Sequence, residues 1–578
     1  MTTQEPHSNA TDINDSFSYS WKRGNDRQYA RMGVGFQRRL RCTIVCIFSF
    51  VICQITILLV LVHFGGLEDV RARRLYPRDS YEWRNFIANT PARSDSFYQY
   101  NRARSDLLGE LRQLPNTRAD SCYKRSYAMP LAFRARVSVV ISYHNEARSM
   151  LLRTIISLVR RTPAHYLHEL IIIDDYSEDV SLLHELKSRM DNSNAPKLLF
   201  LRNMERMGMI WSRNKGASIA SGHYLIFLDS HCEVNDGWLE PLLDRLTRNA
   251  RLAVSPVLDR INPQTLTYVH GNARLKGGFD WSLHFHWLPR ILKPKEPLER
   301  PYSSATFSGG IFMISRKWFL ELQGFNQHLQ IWGGESIEFA IKLWLCGGQI
   351  EIVPCSRIGH IFRRSHAFQF PAVLGDRDVN SAQATYLRNS KIIAEAWLDE
   401  YKYLFYALKP EAKHIPLNYS VDDLNHLKTV HHCASFDWYL RHVLKELKLE
   451  NEGLKAMGTL RNDARCLHVE PSGIKTELLL QSCYQSGITT WFLRRENGHL
   501  QANTGLCLSV LLPTTLTLEP CAQKKPLQRW HRRSTLLVHS STRLCLDNPR
   551  KNRVVLSGCR QNAPSQSFQF SLEMQTQT

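Results

Sequence analysis

The triplet Asp229-Ser230-His231 closes an apolar run at 224–228 and is the strongest chemical signal in this 578-residue chain. Residues i and i+2 of an extended segment point the same way, so a carboxylate and an imidazole converge there. That donor pair suits Mn²⁺ or another hard-to-borderline divalent ion, although the triplet alone reads equally well as a cap or a satisfied polar pair. A cation at this point would stabilise charge developing on a departing diphosphate. Such a site needs a further ligand. His360, in PCSRIGHIFRR, is the best candidate, with Arg363 and Arg364 following as phosphate partners. Asp175 ends another apolar run, where it could accept hydrogen bonds from a ribose or base. Glu335 follows Gly333-Gly334 at the start of an amphipathic stretch. It reads either as a favourable first-turn acid or as a group facing substrate, with glycines that let backbone approach closely.

These residues need a scaffold that brings them together. Four apolar runs, at 137–144, 169–177, 197–203 and 223–231, alternate with helical stretches at 149–161, 180–190 and 211–221. Such alternation predicts βαβ units and a parallel sheet covered on both faces. Ligands bind beyond the carboxyl ends of strands in such sheets. That singles out His144, Asp174, Asp175, Asp229 and His231. From about residue 458 the pattern changes to three Cys-Leu repeats, ARCLHVE, TGLCLSV and TRLCLDN, starting at Ala464, Thr504 and Thr542. Short β-rich repeats, each with its own cysteine pair, predict a three-fold trefoil-like module.

Net charge is +21, which attracts anions. No run of five Lys/Arg and no zinc-finger or RNA-recognition signature accompanies it, so nucleic acid is not an expected partner. Residues 43–64 are almost continuously apolar and span about 33 Å as a helix, enough to cross a bilayer. No small-residue cleavage site follows, which favours an uncleaved anchor. Arginines flank both ends, so charge only weakly orients the span. The pairs Cys466/Cys483, Cys507/Cys521 and Cys545/Cys559 read as disulfides, which places the C-terminal bulk in an oxidising lumen. The expected order is a cytosolic tail at 1–42, an anchor at 43–64 and a luminal stem at 65–121 with local helix over 105–114. A charged connector occupies 441–457, and Asn418-Tyr419-Ser420 is a glycosylation sequon.

The ordered set VVISYHNEA, the DSH triplet, IWGGE, CGG, PCSRIGH, AEAWLDEYK and QRW (Gln528–Trp530) resembles the animal polypeptide N-acetylgalactosaminyltransferases from about Cys122 to the C-terminus. The resemblance implies a GT-A (Rossmann-like α/β) catalytic domain at 122–440 and a ricin-type β-trefoil lectin domain at 458–578. It implies a retaining, Mn²⁺-dependent enzyme of the Golgi membrane that moves N-acetylgalactosamine from UDP-GalNAc to Ser or Thr of protein acceptors. Asp229, His231 and His360 match the metal ligands. Ser142, Asp175, Arg206, Ser230, Trp332, Arg363, His366 and Phe368 match substrate-contacting positions, and Glu335 the acid of the Trp-Gly-Gly-Glu motif. The family pattern also pairs Cys122 with Cys355 and Cys346 with Cys433, leaving Cys232 free.

The chain departs from that pattern in places. Gln330 stands where Asp is usual, Ser308 replaces Ala, and Phe368 replaces an aromatic hydroxyl. In the lectin repeats His468 and Ser509 replace a sugar-binding acid that only Asp547 keeps, and Thr490 and Phe492 stand where Gln528 and Trp530 stand in the second repeat. At most one weak carbohydrate site, near Asp547 and Asn548, is therefore the expectation. The competing readings are a catalytically weak or silent relative acting as a glycoprotein-binding module, a membrane-anchored lectin, and a transferase for another UDP-sugar.

Overall fold

The computed structural model describes Gln54 and residues 80–573 except 92, 110, 128–134, 191–195, 364–369, 371–380, 418–421, 448–453, 473–474, 484–488, 512–513 and 550–552. The expected tail, the membrane span apart from Gln54, the sequon, and Arg364, His366 and Phe368 lie outside the described residues. Among the described residues no helix is long and apolar enough to cross a membrane.

The alternation read from sequence is present as β1 (Val137–Tyr143), α1 (Arg148–Arg161), β2 (Leu167–Asp174), α2 (Ser181–Met190), β3 (Lys197–Arg202), α3 (Met209–Ile219) and β4 (Tyr224–Asp229). It continues through β5 (Cys232–Val234), β6 (Leu252–Ile261), β7 (Tyr268–Val269), β8 (Leu275–Phe279), β9 (Phe285–Pro289), β10 (Tyr302–Ser303), β11 (Phe312–Ser315), α4 (Glu335–Leu345), β12 (Gln349–Ile361), α5 (Ser381–Trp397) and α6 (Lys402–Leu408). The main sheet runs β10-β12-β6-β11-β4-β1-β2-β3. Strands β1 to β4 pair in parallel, as do β6 and β12. The sheet is nevertheless mixed, because β11 inserts antiparallel between β4 and β6 and so needs no covering crossover helix.

Alternate strand residues enter opposite cores. Val137, Val139, Ile141, Leu170 and Ile172 pack with Leu151 and Ile155 of α1, whereas Val140, Ile171, Ile173, Leu225 and Phe227 enter the cluster on the other face. That two-residue period covers both faces, and each fully buried aliphatic side chain contributes about 1.5–3 kcal/mol.

The expected stem does not end at residue 121. Phe86, Tyr98 and Tyr100 are buried. Arg112 forks onto Glu233 at 2.7 and 2.9 Å, and the Ser105 and Ser149 hydroxyls lie 2.8 Å apart. Polar residues here find their partners inside the sheet domain, a relationship composition does not reveal. The local helix is also shorter than expected. It spans Arg102–Leu107, capped by Asn101, whose Oδ1 accepts from Arg104 N at 2.7 Å, and Gly109 follows it at φ 65°.

The disulfides are Cys122–Cys355, Cys346–Cys433, Cys466–Cys483, Cys507–Cys521 and Cys545–Cys559, with Cys232 free and buried. Among the described residues the first strand of the C-terminal module, Leu454–Asn462, already includes positions before the expected boundary at 458. Leu454 and Met457 belong to the sheet-domain core, and a Cβ on Gly458 would meet Ala407 O of α6 at 2.8 Å. The first strand of the module is thus part of the joint. Its own core places Leu467, Leu508 and Leu546 with Trp491, Trp530 and Phe568. Trp491 donates to Leu467 O at 2.9 Å as Trp530 donates to Leu508 O at 2.8 Å. The first repeat therefore keeps its tryptophan one position earlier than the Thr490/Phe492 alignment implied.

Candidate active site

Strand pairing assembles the polar cluster. The β4 carboxyl end delivers Asp229, and β5 leads away from His231. Strand β12 pairs with β5 so that His360 faces Cys232, and Ile361 N donates to His231 O at 3.3 Å. One ligand atom each from Asp229, His231 and His360 lies within 4.8 Å of the others. His360 Nε2 is 3.0 Å from Asp229 Oδ2, and the two imidazole centroids are 4.9 Å apart. Two atoms bound at right angles to one ion on bonds of about 2.1 Å lie about 3 Å apart, so this spacing fits a shared cation. His360 Nδ1 is buried with no hydrogen-bond partner among the described residues, which leaves Nε2 as that ring's polar contact. Carboxylate plus two imidazoles is a donor set for Mn²⁺ or a similar divalent ion.

Charge around the cluster favours the ligating forms. Burial would push the Asp229 carboxyl up, but the His360 bond and the Arg213 guanidinium, 2.7 Å from Oδ1, hold it well below the usual carboxylate range. Burial, then the nearby Arg363 charge, lowers His231 to about 4, so its ring is neutral near pH 7.

Two residues that sequence reasoning did not single out organise this centre. Arg213 on α3 is fully buried and reaches Asp229 and Gly310 O. Glu146, in the SYHNEA segment just past β1, accepts from Tyr100 OH and Ser230 Oγ at 2.7 Å each, from Arg363 Nη2 at 2.7 Å, and from His231 Nδ1 at 3.0 Å. A carboxylate can only accept, so Nδ1 carries the proton and Nε2 presents its lone pair to the cleft. Burial opposes ionisation of Glu146, but Arg363 and these hydrogen bonds outweigh it and keep it charged. The only sequence clue is its place just beyond the carboxyl end of a buried strand.

Ser142 pairs with Asp229 in the β1–β4 register, and with Ser230 it lines the cleft. Asp175 differs from the expectation of an open donor ligand. Its Oδ1 accepts from Asn203 Nδ2 at 2.8 Å and Met207 N at 2.9 Å, its Oδ2 from Gly208 N at 2.8 Å, and Arg206 pairs with it. The carboxylate is occupied in shaping the 203–208 loop, while His144 contacts its carbonyl at 2.7 Å.

That loop bonds to the Trp-Gly-Gly-Glu turn. Gly208 bridges Ile331, and Met209 N donates to Ile331 O at 2.9 Å. Gly333 and Gly334 have φ of 108° and 83°, and a Cβ on Gly333 would meet Tyr386 at 2.8 Å. Asn389 of α5, another residue missed in sequence, accepts from Gln330 N at 3.0 Å. It also donates to the carbonyls of Gln330, Trp332 and Gly333. Glu335 is buried at the start of α4 and accepts from Gly333 N at 2.9 Å. Burial raises its carboxyl, and Arg213 only partly counters this.

A cleft of about 1090 Å³ joins these groups, with Ser308, Trp332 and the β8–β9 hairpin along its walls. In the C-terminal module Asp547 accepts from Arg560 Nη2 at 3.1 Å and Gln566 Nε2 at 3.0 Å, and Ser557 also donates to it. Asp547 Oδ1 and Asn548 Oδ1 have no hydrogen-bond partner among the described residues. Gln528 is buried and bonded to Pro520 O and Ala522 N, so it serves packing. His499 lies beside Cys507 and Cys521, but their sulfurs are joined to each other and do not ligate.

Comparison with known proteins gives three domain matches. A glycosyl transferase family 2 model matches residues 138–323, one described as the N-terminal domain of galactosyltransferase matches 291–367, and the ricin-type beta-trefoil lectin domain matches 456–568. The chain is 56% identical over 474 residues to "Putative polypeptide N-acetylgalactosaminyltransferase 13" of Drosophila melanogaster, over 80% of this chain and 84% of that one. It is 41% identical over 377 residues to human polypeptide N-acetylgalactosaminyltransferase 14, over 64% of each. The solved structure of GalNAc-T7 with UDP, GalNAc and Mn²⁺ aligns with a TM-score of 0.66 at 28% identity, over 82% of this chain and 87% of that one.

Proposed function

The chain belongs to the polypeptide N-acetylgalactosaminyltransferase family, and from that premise we propose how its site transfers N-acetylgalactosamine from UDP-GalNAc to Ser or Thr hydroxyls of proteins. The observation that carries the reading is the convergence of Asp229, His231 and His360 within 4.8 Å in the large cleft. These three residues would hold Mn²⁺, and Glu146 fixes the tautomer of His231. When bound, the ion supplies positive charge to the leaving diphosphate. Ser142, Arg206 and Trp332 would contact the donor, and Arg363 would turn from Glu146 toward phosphate. The Asp175 carboxylate shapes the loop beside them.

Configuration is retained by a front-face route. The acceptor oxygen bonds to the anomeric carbon as the carbon–phosphate oxygen bond breaks. The acceptor proton passes to the departing phosphate oxygen, and UDP leaves. Glu335 orients the sugar, and its buried carboxyl is not the nucleophile. A covalent sugar adduct on Glu335, sought by trapping and mass spectrometry, would sink that route. Residues 43–64 would anchor the chain in the Golgi membrane with both domains luminal, as the apolar span and five disulfides suggest. The test of activity is transfer from a panel of UDP-sugars to Ser/Thr peptides by the luminal fragment. Metal-dependent transfer of N-acetylgalactosamine supports the reading, and its absence on naked and glycosylated peptides alike overturns it.

A further inference from the structure

The charge of the trefoil is concentrated in one stretch. Residues 520–560 contain ten Lys/Arg and a single acid, Asp547. Three of these cations have acidic partners: Lys525 with Glu519, Arg532 with Glu573, and Arg560 with Asp547. Lys524, Arg529 and Arg543 are exposed, and none forms an ion pair among the described residues. They belong to loops that hydrogen bonds tie together. Ser541 Oγ donates to Pro526 O at 3.0 Å, and Ser540 N to Arg529 O at 2.9 Å. These bonds bring the 521–529 loop onto the hairpin tip at 539–543. Arg543 and Arg560 then flank the Cys545–Cys559 disulfide, whose Cα atoms are 5.0 Å apart.

We infer that this end of the trefoil is a docking surface for acidic stretches of acceptor polypeptides, an inference that rests on the transferase reading above. Arginine forks match carboxylates in pairs, and a concentrated positive field raises the encounter rate with a polyanion. The only acid of the stretch pairs with Arg560, so no acid within it is left to pair with Lys524, Arg529 or Arg543. A polypeptide is the occupant because the reaction brings one to this molecule. Holding its acidic segment raises the effective concentration of its hydroxyls at the cleft. The surface is electrostatic, so its contribution fades as the Debye length shrinks from about 8 Å at 0.15 M salt to about 3 Å at 1 M.

The test compares two Ser/Thr peptides, identical except for a distal run of Asp/Glu in one, with the wild-type enzyme and the Lys524→Glu/Arg529→Glu/Arg543→Glu variant. The expected result is a KM about 10-fold lower for the acidic peptide with wild type, falling to about 2-fold or less in the variant or in high salt. Both enzymes should use the neutral peptide equally, which keeps failure of the surface distinct from failure of catalysis. An acidic advantage that survives the three reversals, or none in wild type, overturns the inference. So does preferential binding of a sulfated polysaccharide, with the acidic peptide showing no competition.

Discussion

The Tyr100 hydroxyl donates to Glu146 Oε1 at 2.7 Å, with both side chains buried, so a segment before the sheet domain braces the residue that holds His231, one of the three proposed metal ligands. Second-layer partners of this kind typically change metal affinity or activity by about 10–100-fold. Tyr100→Phe should raise the Mn²⁺ dissociation constant about 10-fold, read from free Mn²⁺ by electron paramagnetic resonance. Glu146→Gln should do at least as much and also alter the His231 ¹⁵N shifts, since an amide no longer fixes the tautomer. Unchanged affinity in both variants would show that the brace is only structural.

Asp229→Ala and His231→Ala should each lower kcat/KM by about 10²–10³-fold or more, and a chelator should do the same reversibly in wild type. Retained transfer in chelator would remove the metal from the reaction.

Asn389→Ala leaves buried backbone groups of residues 330–333 without partners, at a cost of about 1–3 kcal/mol. Denaturant unfolding should register that loss, and kcat should fall as the Trp332–Glu335 turn loosens. Asn389→Asp keeps the acceptor but turns a carboxylate oxygen on three carbonyl oxygens in a buried site, so it should be at least as destabilising as Asn389→Ala.

Gly208→Ala should impair donor binding without touching a metal ligand. Gly208 has φ 92°, and a Cβ there would lie 2.3 Å from Ile331 Cα, so the loop shaped by Asp175 would have to shift. Calorimetry with UDP and Mn²⁺ should show weaker UDP binding, with Mn²⁺ binding alone unchanged.

For the trefoil, Asn548→Ala should weaken binding of GalNAc-bearing glycopeptides while leaving transfer to naked peptides intact. Equal glycopeptide binding by variant and wild type would remove the carbohydrate site from this repeat.

The βαβ rhythm, the Asp-x-His triplet and the cysteine pairs of the repeats were legible because each is a local pattern of few residue types. Glu146, Arg213, Asn389 and Tyr100 were not, because each acts on a partner reached only after the chain folds back. Tyr100 meets a residue 46 positions away and Asn389 one 59 away. The stem boundary failed for the same reason, since Ser105 and Arg112 look solvated until Ser149 and Glu233 arrive. Asp175 was found by position, but nothing local disclosed that the loop at 203–208 would claim its oxygens. The shifted tryptophan of the first repeat shows the limit of spacing: Trp491 is identified by the carbonyl it reaches.

The proposed ligands Asp229 and His360 are separated by 131 residues, and the pairing of β5 with β12 brings them together. The full set of three donors therefore exists only once β12 has joined the sheet, and capture of an ion by all three would report that pairing. An ion held by the native arrangement more tightly than by the open chain would also act as a folding ligand, shifting the native equilibrium by mass action. The same ion that serves chemistry would thus discriminate finished molecules from unfinished ones.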